Sequence, residues 1–345
     1  MAKKISNEMK HISEELVLHP TTMEQAVNNA LNNIELESSG QQLGLYTRWP
    51  TFNRALKKYW RFNTITLGAG ASGSGKSYLL NFIEDDFTNT QLNHNFYKDN
   101  QVLIAAFKYE MSASDEVIRT VSSKMGKSYS YLLSAEWDKT MKDYNTVSKT
   151  EIEAARDHMK SLVKRNILYF ETAGNLQQLF ETVKFLHQKY PNHRVVVTLD
   201  HTLLSERLNE KDDMELVKNT AKVAIAIKKR FGDIVIFLGQ LNGYIEEDKR
   251  RDTPSLHYPV KRDIHGSNQI YWACDNVFIA HRPETLYIVT YGPDKLPTKN
   301  LMHVAFIKSR HGKIGNIWLH EDFANGIIAE KPIKDDGAVP KIKFG

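Results

Sequence analysis

Eight consecutive residues, Gly70-Ala71-Ser72-Gly73-Ser74-Gly75-Lys76-Ser77, are the part of this 345-residue chain best suited to chemistry. They fit the pattern G-x-x-x-x-G-K-[ST], with the apolar run NTITL before them and the amphipathic run YLLNFIEDDF after them. That context predicts a strand feeding a glycine-rich turn, and the turn feeding a helix. Glycines let the backbone curl so that several N–H groups point inward at phosphate oxygens, and the helix N-terminus adds partial positive charge. The segment therefore reads as the phosphate cradle of ATP. Lys76 would reach the β- and γ-phosphates, and the Ser77 hydroxyl would ligate Mg²⁺. A glycine-rich turn matching by accident has no reason to carry both flanking elements.

A phosphate loop needs a second magnesium anchor at the end of another strand. Asp200 closes the run VVVTLD, where it can hold Mg²⁺ through water; the plain alternative is a cap on the next segment. Hydrolysis also needs a group that polarises the attacking water. Glu110, in AAFKYEMS, is the best-placed carboxylate, although its position equally suits an acid opening the following helix. Gln240 ends VIFLGQ, where an amide can sense the γ-phosphate, a weak signal taken alone. The stretch from Gly243 to His265 is long and poor in apolar residues. Its Lys249, Arg250, Arg251, Lys261 and Arg262 could track phosphates and its Tyr244 and Tyr258 could stack on bases, or the run is a solvated loop.

These groups need a frame. From about Thr47 the chain alternates strands and helices. Strands are expected at Asn63 to Leu67, Val102 to Phe107, Arg194 to Leu199 and Ile234 to Leu238. Helices are expected at Lys76 to Phe87, Ser114 to Lys124, Glu151 to Lys164, Leu176 to Lys189 and Glu215 to Arg230. After Asp275 the pattern is mostly strand: NVFIA, LYIVTY, MHVAFIK, NIWLH and NGIIA. The expected class is α/β, a mainly parallel central sheet flanked by helices and extended by antiparallel strands. Residues 1–45 read as a separate N-terminal segment with a helix over Thr22 to Ile34, then a linker from Asn32 to Leu43. Residues 46–330 read as the ATPase domain, and residues 331–345 as a loose tail.

Composition narrows the setting. With 41% hydrophobic residues the chain can bury a sizeable core. Its net charge of +5, from 46 basic and 41 acidic residues, permits a nucleic-acid surface without demanding one. The single cysteine, Cys274, excludes an intrachain disulfide and any Cys-x-x-Cys zinc pair, which suits a reducing cytoplasm. No apolar run approaches the roughly 18 residues of a membrane-spanning helix, so no membrane role is expected.

Taken in order, GASGSGKS, FKYEMS, VTLDH, LGQLN, the segment from Arg262 to Arg282 and IKSRHGKIG resemble the C-terminal motor domain of DnaB-type replicative helicases, within the RecA-like P-loop NTPases. The resemblance runs from about Leu43 to Ala329. It implies Glu110 as catalytic base and Gln240 as γ-phosphate sensor. It also implies that Lys308 and Arg310 reach the nucleotide of a neighbouring subunit in a homo-oligomer, a six-membered ring. The same family implies that the 243–265 stretch faces single-stranded DNA in a central channel, that the Thr22 helix docks on an adjacent subunit, and that a primase or helicase loader is a partner. The setting it implies is the cytoplasm of a bacterium or phage-infected cell. Two departures stand out. His201 occupies a position where the family usually has tyrosine, and only about 45 residues precede the motor, a layout like that of compact phage- or plasmid-encoded relatives. The alternatives are a RecA-like recombination or repair ATPase and a nucleotide-dependent assembly protein that does not unwind DNA.

Overall fold

Runs that are apolar at successive rather than alternate positions mark strands covered on both faces, and the computed structural model, which describes residues 20–331, bears this out. Strands β1 (Thr64–Gly70), β2 (Gln101–Lys108), β3 (Ile167–Phe170), β4 (His193–Asp200), β5 (Ile234–Gln240) and β6 (Asn276–His281) lie parallel in the spatial order β6-β1-β5-β4-β2-β3. Beyond β6 the sheet continues antiparallel through β7 (Leu301–Ser309), β8 (Gly315–Asp322) and β9 (Ile327–Glu330).

The chain divides into two units between Leu43 and Gly44. In the first, helix α1 (Met23–Ser38) starts at a capping box between Thr22 and Gln25. None of its residues is buried, and Met23, Val27, Leu31 and Ile34 form an exposed apolar stripe. The linker expected from Asn32 is therefore helical as far as Ser38. Its Asn and Ser content suggested a loop, but Ile34-Glu35-Leu36-Glu37 are good helix formers and carry the helix on.

In the second unit, helices α2 (Lys76–Phe87), α3 (Ala113–Met125), α4 (Lys149–Leu162), α5 (Leu176–Lys189) and α6 (Asp213–Phe231) follow the periodicity of the sequence closely. Period-two alternation splits the sheet residues between two cores. Ile104, Val196 and Ile236 pack with Leu79, Ile83 and Phe87 of α2. Ala105, Val197 and Phe237 face α5 and α6. Among the described residues no helix is long and apolar enough to cross a membrane. The expected tail lies, beyond Lys331, outside the described residues.

Three segments depart from expectation. β3 was not anticipated, and neither was a small hairpin pairing Trp137 with Tyr144. LYIVTY, read as a strand, is a turn: Pro283–Leu286 forms a 3-10 helix, Tyr287 is left-handed at φ 59°, and only Thr290–Tyr291 pairs, with Leu296–Pro297. Its apolar residues serve a side cluster instead. Ile288 and Tyr291 pack with Leu296, Leu301 and Trp318 around His303 and His281.

Both histidines are buried and neutral. Burial holds His303 down to about 4 and His281 down to about 3. The unfolded chain takes up these protons below about pH 6.5 while the folded state refuses them, so stability falls as pH drops from 6.5 towards 4. His303→Gln removes one such proton. It is expected to flatten the slope of urea-measured stability against pH between 6.5 and 5 by about 1 kcal/mol per pH unit. An unchanged slope would contradict neutral burial.

Candidate functional site

In a parallel sheet the strands end together, and here four adjacent ones bring polar groups to one edge. β1 ends at Gly70, in register with Gln240 at the end of β5. β4 ends at Asp200, opposite Lys108 at the end of β2, and Glu110 lies just past that strand. The groups read from the sequence as one site thus leave neighbouring strands on the same side.

The loop after β1 is shaped by two left-handed glycines, Gly73 at φ 71° and Gly75 at φ 81°. At Gly75 there is no alternative residue, since a Cβ would stand 2.2 Å from the Phe323 ring. Helix α2 begins at once, with Leu79 N–H donating to the Gly75 carbonyl. Lys76 is only 7% exposed, and among the described residues its ammonium has no ion-pair or hydrogen-bond partner. Ser74 Oγ is likewise buried and unpartnered. A largely buried lysine without a partner and a buried hydroxyl without one both suit an anion, and a phosphate chain along the loop fits that need. Ser77 Oγ donates to Asp200 Oδ1 at 3.0 Å, so the hydroxyl and the carboxylate expected to serve Mg²⁺ already meet. Glu110 is exposed and, among the described residues, unpaired. Gln240 is half-buried, with its amide against His201.

Lys308 and Arg310 lie elsewhere. β7 runs antiparallel, placing them at the opposite end of the sheet, where Val277 pairs with Lys308 and Asn276 with Ser309. Lys308 Nζ donates to the Tyr271 carbonyl at 2.6 Å and sits over that ring. Arg310 is 52% exposed, its Nε 3.3 Å from Asp275 Oδ1. Asp275 also accepts from Ile65 N. From Ile65 to Gly70 the sheet rises roughly 17 Å, which keeps Arg310 from this chain's own phosphate loop, and Lys308, in register with Val277 and Leu67, is held away from it by the Tyr271 carbonyl.

The 243–265 stretch needs correcting. It is folded into short turns and helices, and it closes back on the sheet where His265 N–H donates to the Gln240 carbonyl. Arg250, expected among the free cations, is 4% exposed; it pairs with Asp263 and donates to the carbonyls of Leu256 and Tyr258. Its guanidinium is consumed in holding the stretch together. Tyr258 packs against Tyr291, His303 and Trp318, so its ring is not free to stack on a base. Lys249, Arg262 and Tyr244 remain exposed, Arg251 pairs with the exposed Asp248, and Lys261 lies over Tyr271 and Trp272.

Residues 44–325 match the DnaB-like helicase C terminal domain family. The chain belongs to this family. The DnaB-like domain is accordingly an ATP-hydrolysing helicase domain of replicative type, and it binds nucleotide. Two solved structures share its fold. The ATPase domain of G40P superposes with a TM-score of 0.73 at 16% identity, covering 91% of this chain and 100% of that one. A DnaB-like replicative helicase, described with its interactions with primase, gives 0.71 at 16% identity, covering 96% of this chain and 72% of that one. A comparison with curated proteins finds no match.

Two features of the DnaB-like site were missed in the sequence. Arg282 Nη1 donates to the Gly73 carbonyl at 3.1 Å, while its Nε donates to Glu321 and its guanidinium covers Phe323. The chain after β6 thus braces the phosphate loop. Behind Asp200 lies a buried charge cluster. Lys108 Nζ is 3.0 Å from Glu84 Oε2, a charge contact without hydrogen-bond geometry, and Glu84 Oε1 accepts from Thr198 Oγ1 at 2.6 Å. Burial opposes the Lys108 charge, but Glu84, Glu116 and Asp200 outweigh it and hold the ammonium above its ordinary value. Burial pushes Glu116 up, against the pull of Lys108, and both its oxygens lack hydrogen-bond partners. The signal was present: Lys108 continues the inward register Val102-Ile104-Ala106, where a charge is out of place without a partner.

Lys108→Met strands Glu84 and is expected to cost about 3–5 kcal/mol in urea unfolding. Adding Glu84→Met should recover most of that loss. A single variant as stable as the parent would show that the pair is not charged.

Proposed function

We propose that copies of this chain form a hexameric ring, in which Mg²⁺-dependent ATP hydrolysis at subunit interfaces drives translocation on single-stranded DNA and duplex unwinding during replication. The observation that carries this reading is the displacement of Lys308 and Arg310 to the edge of the sheet opposite the phosphate loop. Among the described residues the cations at the nucleotide site are Lys76 and Arg282, and Arg282 is committed to Glu321 and the Gly73 carbonyl, so charge building on the γ-phosphate calls for a further one. An exposed arginine on the far edge is where a neighbouring copy would present one. Such fingers are worth about 10³–10⁵ in rate.

In this account the backbone of Gly70 to Ser77 cradles the phosphates, and Lys76 bridges the β- and γ-oxygens. Ser77, with Asp200 behind it through water, would hold Mg²⁺, which neutralises charge between those oxygens. Glu110, free at the strand edge, orients the attacking water and accepts its proton, and Gln240 donates to the γ-phosphate. The exposed apolar stripe of α1 suits docking on an adjacent copy. Lys249, Arg251, Lys261 and Arg262, with Tyr244, are proposed to meet the DNA strand in the channel. A primase or helicase loader is the proposed partner, in the cytoplasm of a bacterium or phage-infected cell.

ATP turnover is expected to rise with single-stranded DNA and to be accompanied by fork unwinding. Arg310→Ala should lower turnover by about 10³-fold, and Glu110→Gln should bind ATP but barely hydrolyse it. Hydrolysis indifferent to DNA, without unwinding, would favour a recombination, repair or assembly ATPase. Neutralising Lys249 and Arg251 together should weaken single-strand binding and flatten the log–log salt slope by about 1.4, at about 0.7 per lost phosphate contact. Arg250→Ala should instead lower the melting temperature. An unchanged slope in the double variant would remove this stretch from the DNA path.

A further inference from the structure

His201 is strained where it stands. Directly after Asp200 the backbone turns through φ 66°, ψ 76°, a left-handed conformation that residues with bulky side chains rarely adopt. Glycine or asparagine would relieve that strain, yet the position carries an imidazole. The turn aims the ring across to β5, where His201 Nε2 lies 2.7 Å from Gln240 Nε2. In this contact the amide nitrogen donates and the imidazole Nε2 accepts. The ring's Nδ1 is buried without a partner, a second local cost. Both costs fall on one residue, and the side-chain hydrogen bond it makes is to the group paired in register with Gly70 of the phosphate loop.

We infer that His201 is a positioning residue for Gln240. It takes one of the two amide hydrogens, fixes the amide plane at the sheet edge, and leaves the second N–H directed to a γ-phosphate oxygen. This rests on the reading of Gln240 as γ-phosphate sensor and adds what makes that sensor selective. A free glutamine side chain samples several rotamers and must be ordered at each binding event. A held one presents its donor before nucleotide arrives, so its contribution goes to the triphosphate and not to the diphosphate. Where the family usually has tyrosine, this chain supplies an imidazole acceptor, and the left-handed turn after Asp200 is the geometry that brings it within reach.

The test is the ratio of ATPγS to ADP affinity in the full chain with Mg²⁺, measured by displacement of a fluorescent ADP, with kcat and KM beside it. Gln240→Ala should reduce the ratio by about tenfold. His201→Phe keeps the ring and loses its nitrogens. It should reduce the ratio nearly as far while ADP affinity stays within about twofold, and the double variant should fall no further than either single one. His201→Gln places an amide oxygen near the lost Nε2 and should restore most of the ratio. If Gln240→Ala lowers the ratio and His201→Phe leaves it at the parent value, the inference is wrong. If Gln240→Ala leaves the ratio intact, the sensor reading itself fails. Loss of ADP and ATPγS binding together in His201→Phe, without rescue by His201→Gln, would reduce His201 to a packing role and overturn the proposal.

Discussion

Parallel alignment of the strands is the constraint on which the site depends. Strands that run the same way between two helical layers end together, and their last residues emerge on one edge. Gly70, Gln240, Asp200 and Lys108 are the last residues of four adjacent strands, so no loop has to be long or flexible to gather them. The register sets Gly70 beside Gln240 and Lys108 beside Asp200. The apolar content of the strands is therefore what positions the chemistry, because burial on both faces fixes where each strand stops.

The same constraint separates the remaining cations from the site. The three strands added after β6 run antiparallel, which brings the start of β7 to the phosphate edge and carries its end, with Lys308 and Arg310, to the opposite one. A chain built this way cannot complete its own nucleotide site with those side chains. Buried charge shows a related economy. Lys76 has no partner among the described residues, whereas Lys108, three strands over from β1, is neutralised by Glu84 and its neighbours.

Most of the fold and the centre of the site were legible because periodicity and the phosphate-loop pattern are local signals. Lys76 to Phe87 and Leu176 to Lys189 were bounded to the residue. What escaped depended on contacts distant in sequence. LYIVTY has strand composition, but Pro283 and the left-handed Tyr287 turn it so that Ile288 and Tyr291 can fill a cluster built from β7 and β8. Nothing in the sequence separates Arg250 from its basic neighbours, because its partner Asp263 is thirteen residues away and meets it only in the fold. Ile167–Phe170 is short and only partly buried, too brief to show a period. His201 was recognised as a departure, but its contact with Gln240 joins two strand ends that only the sheet brings together.

If each nucleotide site is completed by another copy of the chain, mixing two inactive variants restores what each lacks. Glu110→Gln lacks the base but keeps the finger, and Arg310→Ala lacks the finger but keeps the base. Combined in equal amounts, they should regain DNA-stimulated ATP hydrolysis well above either alone, because mixed assemblies contain interfaces with an intact base facing an intact arginine. Mixed assemblies that form yet stay as inactive as the separate variants would contradict the account.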